Sequence, residues 1–217
     1  MPGLTRVSTV DVDEFGGHVH DALDATAALE VRRAVDLEEA FTPVPPGRMA
    51  DVVVVTASHP GLPLWNTAAS LAAGTGRTWL PITRDGLTVT VGPLVMGERA
   101  PCFECAVRRR VQHDRQKTVK ALLTEAYATG RAPLPGGFLP HHVRMSAAAT
   151  VMMLRAAAPG QIASIDLRQA AVSIHRVVEC DDCRYCARPT SRGVAVLRRS
   201  LAPALGRDRH APAEVGR

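Results

Sequence analysis

All five cysteines of this 217-residue chain fall into two short clusters that lie far apart in the sequence. The first is Cys102-Phe-Glu-Cys105 and the second is Cys180-Asp-Asp-Cys183-Arg-Tyr-Cys186; residues 106 through 182, 77 in all, separate Cys105 from Cys183. Thiols spaced as Cys-x-x-Cys suit a tetrahedral metal ion, because a tight turn lets both sulfurs face it. Two such pairs form a closed four-sulfur set, which is typical of structural zinc. The fold is therefore expected to bring the two clusters together.

The second cluster offers two alternative ligand pairs, Cys180/Cys183 and Cys183/Cys186. We favour the later pair, because Cys180 follows an expected strand and has less freedom to turn inward. His175 is a weaker candidate, since it is expected to lie within that strand. Reduced core thiols or a redox dithiol are alternatives to zinc, but a second distant pair is better explained by shared coordination. The predicted zinc ligands are Cys102, Cys105, Cys183 and Cys186.

The composition indicates a globular protein without a membrane span. Apolar residues make up 46% of the chain, and no apolar run approaches the roughly 20 residues that a spanning helix needs. The first residues, Met-Pro-Gly-Leu-Thr-Arg, lack the apolar core of a signal peptide. We therefore expect a cytoplasmic protein, and a reducing compartment favours metal thiolates over disulfides.

Charge divides the chain into two parts. Residues 187–217 contain seven arginines against two acidic residues, a net of +5, whereas residues 1–186 contain 19 basic and 19 acidic side chains. The prediction is an α/β domain with the zinc site over 1–186 and an Arg-rich, solvated tail over 187–217. A nucleic-acid partner is not expected, because Glu104 and Asp181-Asp182 flank the cysteines where a zinc ribbon would carry basic and aromatic residues.

Strand and helix patterns alternate through the first 83 residues, which indicates βαβ units and a parallel sheet. Alternating polar and β-branched residues predict a strand over residues 5–12, and another is expected over 29–35. The continuous run Val52-Val-Val-Val55 suits a strand buried on both faces of a parallel sheet. The helices between them are predicted at residues 18–27, 37–41 and 64–73.

The second half of the chain predicts different elements. They are two strands around an Asp85-Gly86 turn (79–83 and 87–91), helices over 106–128 and 143–157, and a hairpin (162–167 and 171–178). The hairpin would deliver the second cysteine cluster. The predicted fold class is α/β: a Rossmann-like, mostly parallel sheet with a degenerate nucleotide loop, and a C-terminal helical and β-hairpin region tied by the four-cysteine zinc site.

The segment after the first strand decides whether a nucleotide is expected. A nucleotide site here would need a Gly-rich turn whose backbone amides reach a phosphate. The chain offers Asp13-Glu-Phe-Gly-Gly17, which we interpret as a tight turn with only two adjacent glycines. Asp11, Asp13 and Glu14 would repel a triphosphate. The loop is therefore degenerate, and ATP is not expected as a cofactor.

One segment carries a resemblance to a known family. Residues 91–105, Val-Gly-Pro-Leu-Val-Met-Gly-Glu-Arg-Ala-Pro-Cys-Phe-Glu-Cys, resemble the strand-to-zinc junction of ThiF/MoeB-type, ubiquitin-activating-like proteins. Within that group the chain most resembles the cyclodehydratase-associated proteins of thiazole/oxazole-modified peptide (bacteriocin) biosynthesis. The family's Gly-Pro-Leu, basic turn and basic helix are matched at 92–94, 97–99 and 108–110, and its second cysteine pair by Cys183/Cys186.

The resemblance implies a non-adenylating accessory or scaffold protein that presents a precursor (leader) peptide to a YcaO cyclodehydratase or activates that enzyme. Azole formation would be the partner's chemistry, in which a Cys, Ser or Thr side chain of the substrate attacks a backbone carbonyl. The resemblance also implies a homodimer without independent catalysis. Because the first strand begins near residue 5, a separate winged-helix leader-binding module is not expected before it.

The chain departs from the active members of the wider family, which adenylate a carboxylate. Those proteins use a GxGxxG loop, an Asp after the third strand, and Arg and Lys side chains on the phosphates. Here the loop is Phe15-Gly-Gly17, Val55 is followed by Thr-Ala-Ser-His-Pro, and Lys117 and Lys120 are the only lysines. Two alternative functions stay open: an active adenylating enzyme of the ThiF/MoeB type and a zinc-ribbon nucleic-acid binder.

Overall fold

The computed structural model describes residues 5–42, 52–59, 63–96, 101–114, 116–133, 136–180, 183, 185 and 186. The predicted tail at 187–217 and the basic turn at 97–99 lie outside these residues. The strands are β1 (Thr5–Asp11), β2 (Leu29–Arg33), β3 (Val52–Ala57), β4 (Thr78–Asp85), β5 (Thr88–Val91), β6 (Val95–Met96), β7 (Gln161–Asp166) and β8 (Ala171–Arg176). The helices are α1 (Glu14–Asp24), α2 (Leu37–Phe41), α3 (Leu64–Thr75), α4 (Phe103–His113), α5 (Lys117–Ala128) and α6 (Pro140–Ala156).

One mixed sheet contains all of these strands, in the order β2-β1-β3-β4-β5-β7-β8, with β6 paired to β4. The pairs β2–β1, β1–β3 and β3–β4 are parallel, whereas β4–β5, β4–β6, β5–β7 and β7–β8 are antiparallel. Strands β1 to β4 and β7 therefore run in one direction. The predicted parallel sheet over the first 83 residues is confirmed, and the predicted hairpins form its antiparallel half.

Strand β3 shows how the sheet divides the core. All six of its residues are buried, as the apolar run predicts. Val52 and Val54 belong to one hydrophobic cluster, together with residues of α1 and α6. Val53 and Val55 belong to a second cluster, together with residues of α2, α3 and α4 and all five cysteines. The period-two alternation of the strand thus places the cysteines on one defined side of the sheet.

Helix α1 begins earlier than the sequence predicts. The segment interpreted as a tight turn at 13–17 is the start of the helix, so the predicted helix over 18–27 is wrong at both ends. Asp13 is the N-cap, and Gly16 lies where the first turn packs against the sheet. A Cβ at Gly16 would lie 2.9 Å from the Asp11 Cβ and 3.1 Å from the Thr56 carbonyl oxygen. The glycine therefore serves close helix–strand packing instead of a turn.

The predicted helical stretch over 106–128 is two helices with a break between them. The Asp114 carboxylate accepts a hydrogen bond from the Gln116 N–H (2.8 Å), which supports the turn from α4 into α5. Helix α4 begins at Phe103 and α6 at Pro140, each three residues before its predicted start. The tight turn between β4 and β5 is confirmed, with Gly86 at a φ of +58°.

Candidate metal centre and the edge of the parallel strands

The first cysteine pair lies at the start of α4. Cys102 is the N-cap residue and Cys105 lies one turn into the helix, so both side chains point to the same side. The ring of Phe103 contacts those of Trp65 and Trp79, with centroids 5.3 Å and 5.7 Å apart. These aromatic contacts fix the first turn of α4 against the sheet and α3. Both cysteines are buried as a result.

The second cluster is joined to α4 by an arginine of that helix. The guanidinium of Arg109 donates to the backbone carbonyl oxygens of Val178 (3.2 Å) and Glu179 (2.9 Å), the two residues that precede the cluster. The chain then turns, with the Cys183 N–H donating to the Cys180 carbonyl at 3.2 Å. The helix that carries the first pair therefore also positions the approach of the second pair.

Four buried thiols meet at this point, those of Cys102, Cys105, Cys183 and Cys186. Their sulfur atoms all lie within 4.8 Å of one another. The Cys102 sulfur is 3.4 Å from that of Cys183 and 3.9 Å from that of Cys105, and the sulfurs of Cys105 and Cys186 are 3.4 Å apart. A tetrahedral zinc with bonds of about 2.3 Å separates its sulfurs by about 3.8 Å. The donor set and its spacing fit such an ion.

Cys180 has a different place beside this cluster. Within the described part of the chain its sulfur is not a member of the mutually close group. Its backbone N–H donates to the Cys105 sulfur at 3.3 Å, so it supports a ligand candidate through the main chain. The prediction that the preceding strand restricts Cys180 is wrong, because β8 ends at Arg176, before Cys180. His175 lies within β8, as predicted.

Burial is the largest single influence on the pKa values of three thiols, those of Cys102, Cys183 and Cys186. It raises the pKa of Cys102 to about 12 and also raises the pKa of Cys186. Burial opposes ionisation of Cys183 as well, but backbone N–H groups of Tyr185 and Cys186 lower its pKa overall. A bound divalent cation favours the thiolate form and offsets this cost of burial. The cluster thus has the chemistry of a metal-binding site.

A second candidate region is the edge where β1 and β3 end, which is the usual place of ligands in parallel sheets. The Asp13 carboxylate occupies the start of α1 there. One of its oxygens accepts from the Gly16 N–H (3.0 Å) and the other from the Ser58 N–H (2.6 Å). Backbone amides that could receive a phosphate in such a fold are thus bound to a side chain of the protein itself.

Arg84 is a buried cation at this edge that the sequence patterns did not single out. Its guanidinium donates to the Gly137 carbonyl (3.0 Å) and to the Ser58 hydroxyl (3.3 Å), and lies 5.6 Å from the Phe15 ring centroid. Burial lowers the pKa of Arg84, while the charge of Asp13 opposes this effect. An arginine at the end of a strand carries no local pattern that distinguishes it from a surface residue, which is why it was missed.

His59 also lies at this edge, two residues after the end of β3. Its imidazole is buried and contacts the Tyr127 ring of α5, with centroids 4.6 Å apart. Burial lowers the pKa of His59, and Asp85 opposes this effect. The adjacent histidines at the start of α6 differ in burial: His142 is buried in the first turn of the helix, whereas His141 is exposed.

Solved structures similar to this one show the fold. The chain resembles a heterocyclase in complex with substrate and cofactor (16% identity, TM-score 0.60, 86% of this chain and 26% of that one). It also resembles the Escherichia coli microcin synthetase McbBCD complex (11% identity, TM-score 0.60, 84% of this chain and 69% of that one). E. coli MccB with a MccA peptide is similar as well (14% identity, TM-score 0.52, 85% and 68%).

The other comparisons set limits to this likeness. No protein-family model matches the chain, and no curated protein does. The chain spans about a quarter of the length of the heterocyclases that it matches, 26% of one and 27% of the heterocyclase TruD. Among the described residues, no helix has the length and apolarity that crossing a bilayer requires.

Proposed function

We propose that this chain is a non-adenylating, ThiF-like accessory protein of azole-forming peptide biosynthesis, which presents a precursor peptide to a YcaO cyclodehydratase or activates that enzyme. The fold likeness to a heterocyclase with substrate and to the microcin synthetase complex carries the proposal. The matched region is a part of a larger heterocyclase chain in one case and of a multiprotein synthetase in the other. In both settings a domain of this fold works beside other domains or subunits.

The four-cysteine cluster supports a scaffold role. We propose that Cys102, Cys105, Cys183 and Cys186 hold one structural Zn²⁺, which would join the start of α4 to the segment after β8. A closed four-thiolate set leaves no coordination position for a substrate or water. The ion would therefore stabilise the antiparallel half of the fold and would not take part in bond making.

The edge of the parallel strands supports a role without ATP. The Asp13 carboxylate already accepts the hydrogen bonds of the Gly16 and Ser58 amides, and its negative charge repels a phosphate. We propose that nucleotide chemistry belongs to the partner, and that this edge is structural. Homodimer formation is a further expectation of the resemblance, and light scattering of the purified protein tests it.

Reconstitution tests the proposed function. The chain is combined with a YcaO enzyme and a Cys/Ser/Thr-rich precursor peptide encoded beside it, with ATP and Mg²⁺. Each ring closes as a side-chain nucleophile adds to the preceding carbonyl and one water is lost, which mass spectrometry detects. Rings that form only when the chain is present support the proposal. Equal ring formation without the chain contradicts it.

Adenylation is the second candidate, because E. coli MccB, whose solved structures include one with ATP, has the same fold (13–14% identity, TM-score 0.53). ATP–pyrophosphate exchange with the precursor peptide distinguishes the two candidates. The accessory role predicts exchange at the level of a protein-free control. Robust exchange that requires both the chain and the peptide would replace it with the adenylating role.

A further inference from the structure

A cavity of about 830 Å³ lies on the cysteine side of the sheet, between its antiparallel half and the helices α4 and α5. Its volume falls in the range of pockets that enclose a drug-sized ligand or a short peptide segment. It is separate from the edge occupied by Asp13, and none of the four clustered cysteines lines it. The proposed metal site does not use this space.

The floor of the cavity is a row of hydroxyl groups. Thr83 of β4 pairs with Thr90 of β5, and Thr90 pairs with Ser164 of β7, so the three residues lie side by side across three strands. Directly paired residues place their side chains about 5 Å apart on the same face. All three line the cavity, beside Ile162 of the same β7 face. This row offers several donors and acceptors on a rigid support.

The roof of the cavity is one stripe of α4 that changes character along its length. Phe103, Ala106 and Val107 make its first part apolar, Arg110 makes its second part charged, and Asp114 follows directly after the helix as its C-cap. The spacing of three and four residues places these side chains on the same face of the helix. The cavity therefore has an apolar end near the metal centre and a charged end near α5.

Cations outnumber carboxylates in the lining. Arg109, Arg110, Lys120 and Arg176 line the cavity, and Asp114 is the only carboxylate among its described lining residues. Two of the cations are already engaged: Lys120 lies 2.8 Å from Asp114, and Arg109 binds the backbone carbonyls before the second cysteine cluster. Arg176 lies on the exposed edge strand β8. The cavity thus has a net positive charge that an anionic ligand would balance.

Arg110 is the cation best placed for a ligand. One of its terminal nitrogens donates to the Thr90 hydroxyl oxygen at 2.6 Å. A guanidinium has five N–H donors, and the remaining ones of Arg110 have no hydrogen-bond partner among the described residues. Because the Thr90 oxygen accepts from Arg110, its own O–H is available to donate to the same ligand. Guanidinium and hydroxyl together form a carboxylate-binding arrangement.

We propose that this cavity binds a peptide segment in which an acidic side chain pairs with Arg110 and Thr90 while a neighbouring apolar side chain packs against Phe103, Val107 and Ile162. The inference rests on the proposed function, which supplies a peptide as the ligand. The two chemically different ends favour an acidic residue next to an apolar one over a free inorganic anion. A free anion would use the charged end alone.

Calorimetric titration of the purified full chain tests this inference with a defined probe. The probe is acetyl-Gly-Leu-Glu-Leu-Gly-amide, whose only carboxylate is the Glu side chain, and its matched control carries Gln in place of Glu. Loss of a charge-assisted hydrogen bond weakens binding roughly 10- to 100-fold. We expect the Gln peptide to bind the wild-type chain weaker by that factor. This comparison needs no variant protein and is independent of folding effects.

Variants then locate the site. R110Q is expected to weaken binding of the Glu peptide by the same factor and to leave the weak binding of the Gln peptide unchanged. R110K keeps the positive charge but lacks the planar, two-nitrogen geometry of a guanidinium. Its affinity for the Glu peptide is expected to lie between those of R110Q and wild type. R155Q removes the same charge from an exposed position of α6, on the opposite side of the sheet, and should bind like wild type. Unfolding curves check that each variant folds.

Three results would overturn the inference: equal binding of the Glu and Gln peptides, full binding by folded R110Q, or displacement of the peptide by inorganic phosphate at equal concentration. The last result would indicate a small-anion site. The outcome is separable from that of the proposed function. Ring formation that depends on the chain without any peptide binding would leave the accessory role standing and refute the cavity. Peptide binding without ring formation would support the cavity as a binding site and refute the accessory role.

Discussion

Two helices of this fold begin in opposite ways, although each starts beside the same sheet. Helix α1 is capped by Asp13, whose two carboxylate oxygens accept from Gly16 and Ser58. Helix α4 has no side-chain hydrogen bond at its N-cap, Cys102, whose sulfur instead lies among four buried thiols. The first start is completed by a group of the chain itself. The second start would be completed by the metal ion that we propose for its thiols.

The difference teaches where this protein needs a ligand and where it does not. A helix N-terminus carries partial positive charge, which a carboxylate or a thiolate stabilises. At α1 a fixed carboxylate supplies the negative charge permanently. At α4 the negative charge would appear only when a metal ion deprotonates the thiols. We therefore expect substitutions at α4 to act through metal content and substitutions at α1 to act through folding stability alone.

The largest effect is expected for C105S. The serine removes one of four proposed ligands, and loss of a structural metal is among the few single changes that cost about 4 kcal/mol or more. The matched control is C180S, which changes a buried cysteine outside the group. This variant should keep its metal, and its free energy of unfolding should stay within about 1 kcal/mol of wild type. Metal analysis by mass spectrometry and thermal unfolding measure both. Zinc retained by C105S but lost by C180S would contradict the proposed ligand set, because Cys180 and not Cys105 would then hold the ion.

A smaller loss is expected for D13A. The substitution removes an N-cap worth about 1 kcal/mol and leaves the buried Ser58 N–H without its acceptor, which costs a further 1–3 kcal/mol or so. The control is D36A at the exposed start of α2, where the carboxylate accepts from the Glu39 N–H and from no other described residue, and about 1 kcal/mol should be lost. Denaturant unfolding measures the two. Equal losses would mean that the Ser58 contact contributes nothing.

The next expected effect tests the packing of α1 against β1. In G16A the new methyl group would lie 2.9 Å from the Asp11 Cβ, and overpacking of this kind costs about 1–3 kcal/mol. In G17A the nearest atom would be 3.6 Å away, an ordinary contact, and the helix gains up to about 1 kcal/mol from the lost glycine flexibility. Relative to wild type, the free energy of unfolding should fall in G16A and rise in G17A. G16A as stable as G17A would contradict the close approach.

The smallest effect concerns a third helix start, that of α6, and depends on pH. His142 accepts a hydrogen bond from the Leu139 N–H through Nδ1 (3.2 Å), which requires that nitrogen to be unprotonated. Burial, with the charges of His141 and Arg84, lowers the pKa of His142 below its usual 6.5. The unfolded chain therefore takes up a proton before the folded one does. Stability is full above about pH 6.5 and falls as the pH drops toward the folded pKa.

Unfolding measured at pH 7.5 and 5.5 checks this dependence. The variant H142N cannot titrate, so it should lose less stability over that interval than the wild-type chain. H18N, at an exposed position of α1, should keep the wild-type difference. An identical pH dependence in H142N and wild type would show that the α6 start does not sense protonation.

The architecture could be predicted where local pattern and burial agree. Short sequence patterns predict three elements: the buried strand β3 with its run of valines, the Asp85-Gly86 turn and the final hairpin. All three are confirmed. The start of α1 could not be read from its sequence. Two adjacent glycines normally indicate a turn, and the close approach of Asp11 and Thr56 in three dimensions explains why this position of the helix is a glycine.

The metal cluster shows a similar division. Spacing alone pointed to Cys-x-x-Cys pairs, but it left Cys180 and Cys186 as alternatives. In the structure the sulfur of Cys186 lies in the mutually close group, and Arg109 binds the backbone carbonyls of Val178 and Glu179, which precede the second cysteine cluster. Arg84 was not singled out from the sequence, and Arg110 was noted only as part of the basic helix at 108–110. The role of a cationic side chain depends on the sheet face or cavity around it, and its neighbours in sequence do not reveal that environment.

The proposed zinc site has a consequence for the unfolded chain. Residues 106 through 182 form a loop of 77 residues between Cys105 and Cys183, and this loop contains α5, α6, β7 and β8. A link across such a loop removes chain entropy worth about 4.5 kcal/mol in the loop-closure model. Helix α5 has no buried residue of its own and gains little from packing. One ion that joins the two ends of the loop would therefore favour the folded form of such a helix, because it lowers the entropy of the unfolded chain and not because it contacts the helix.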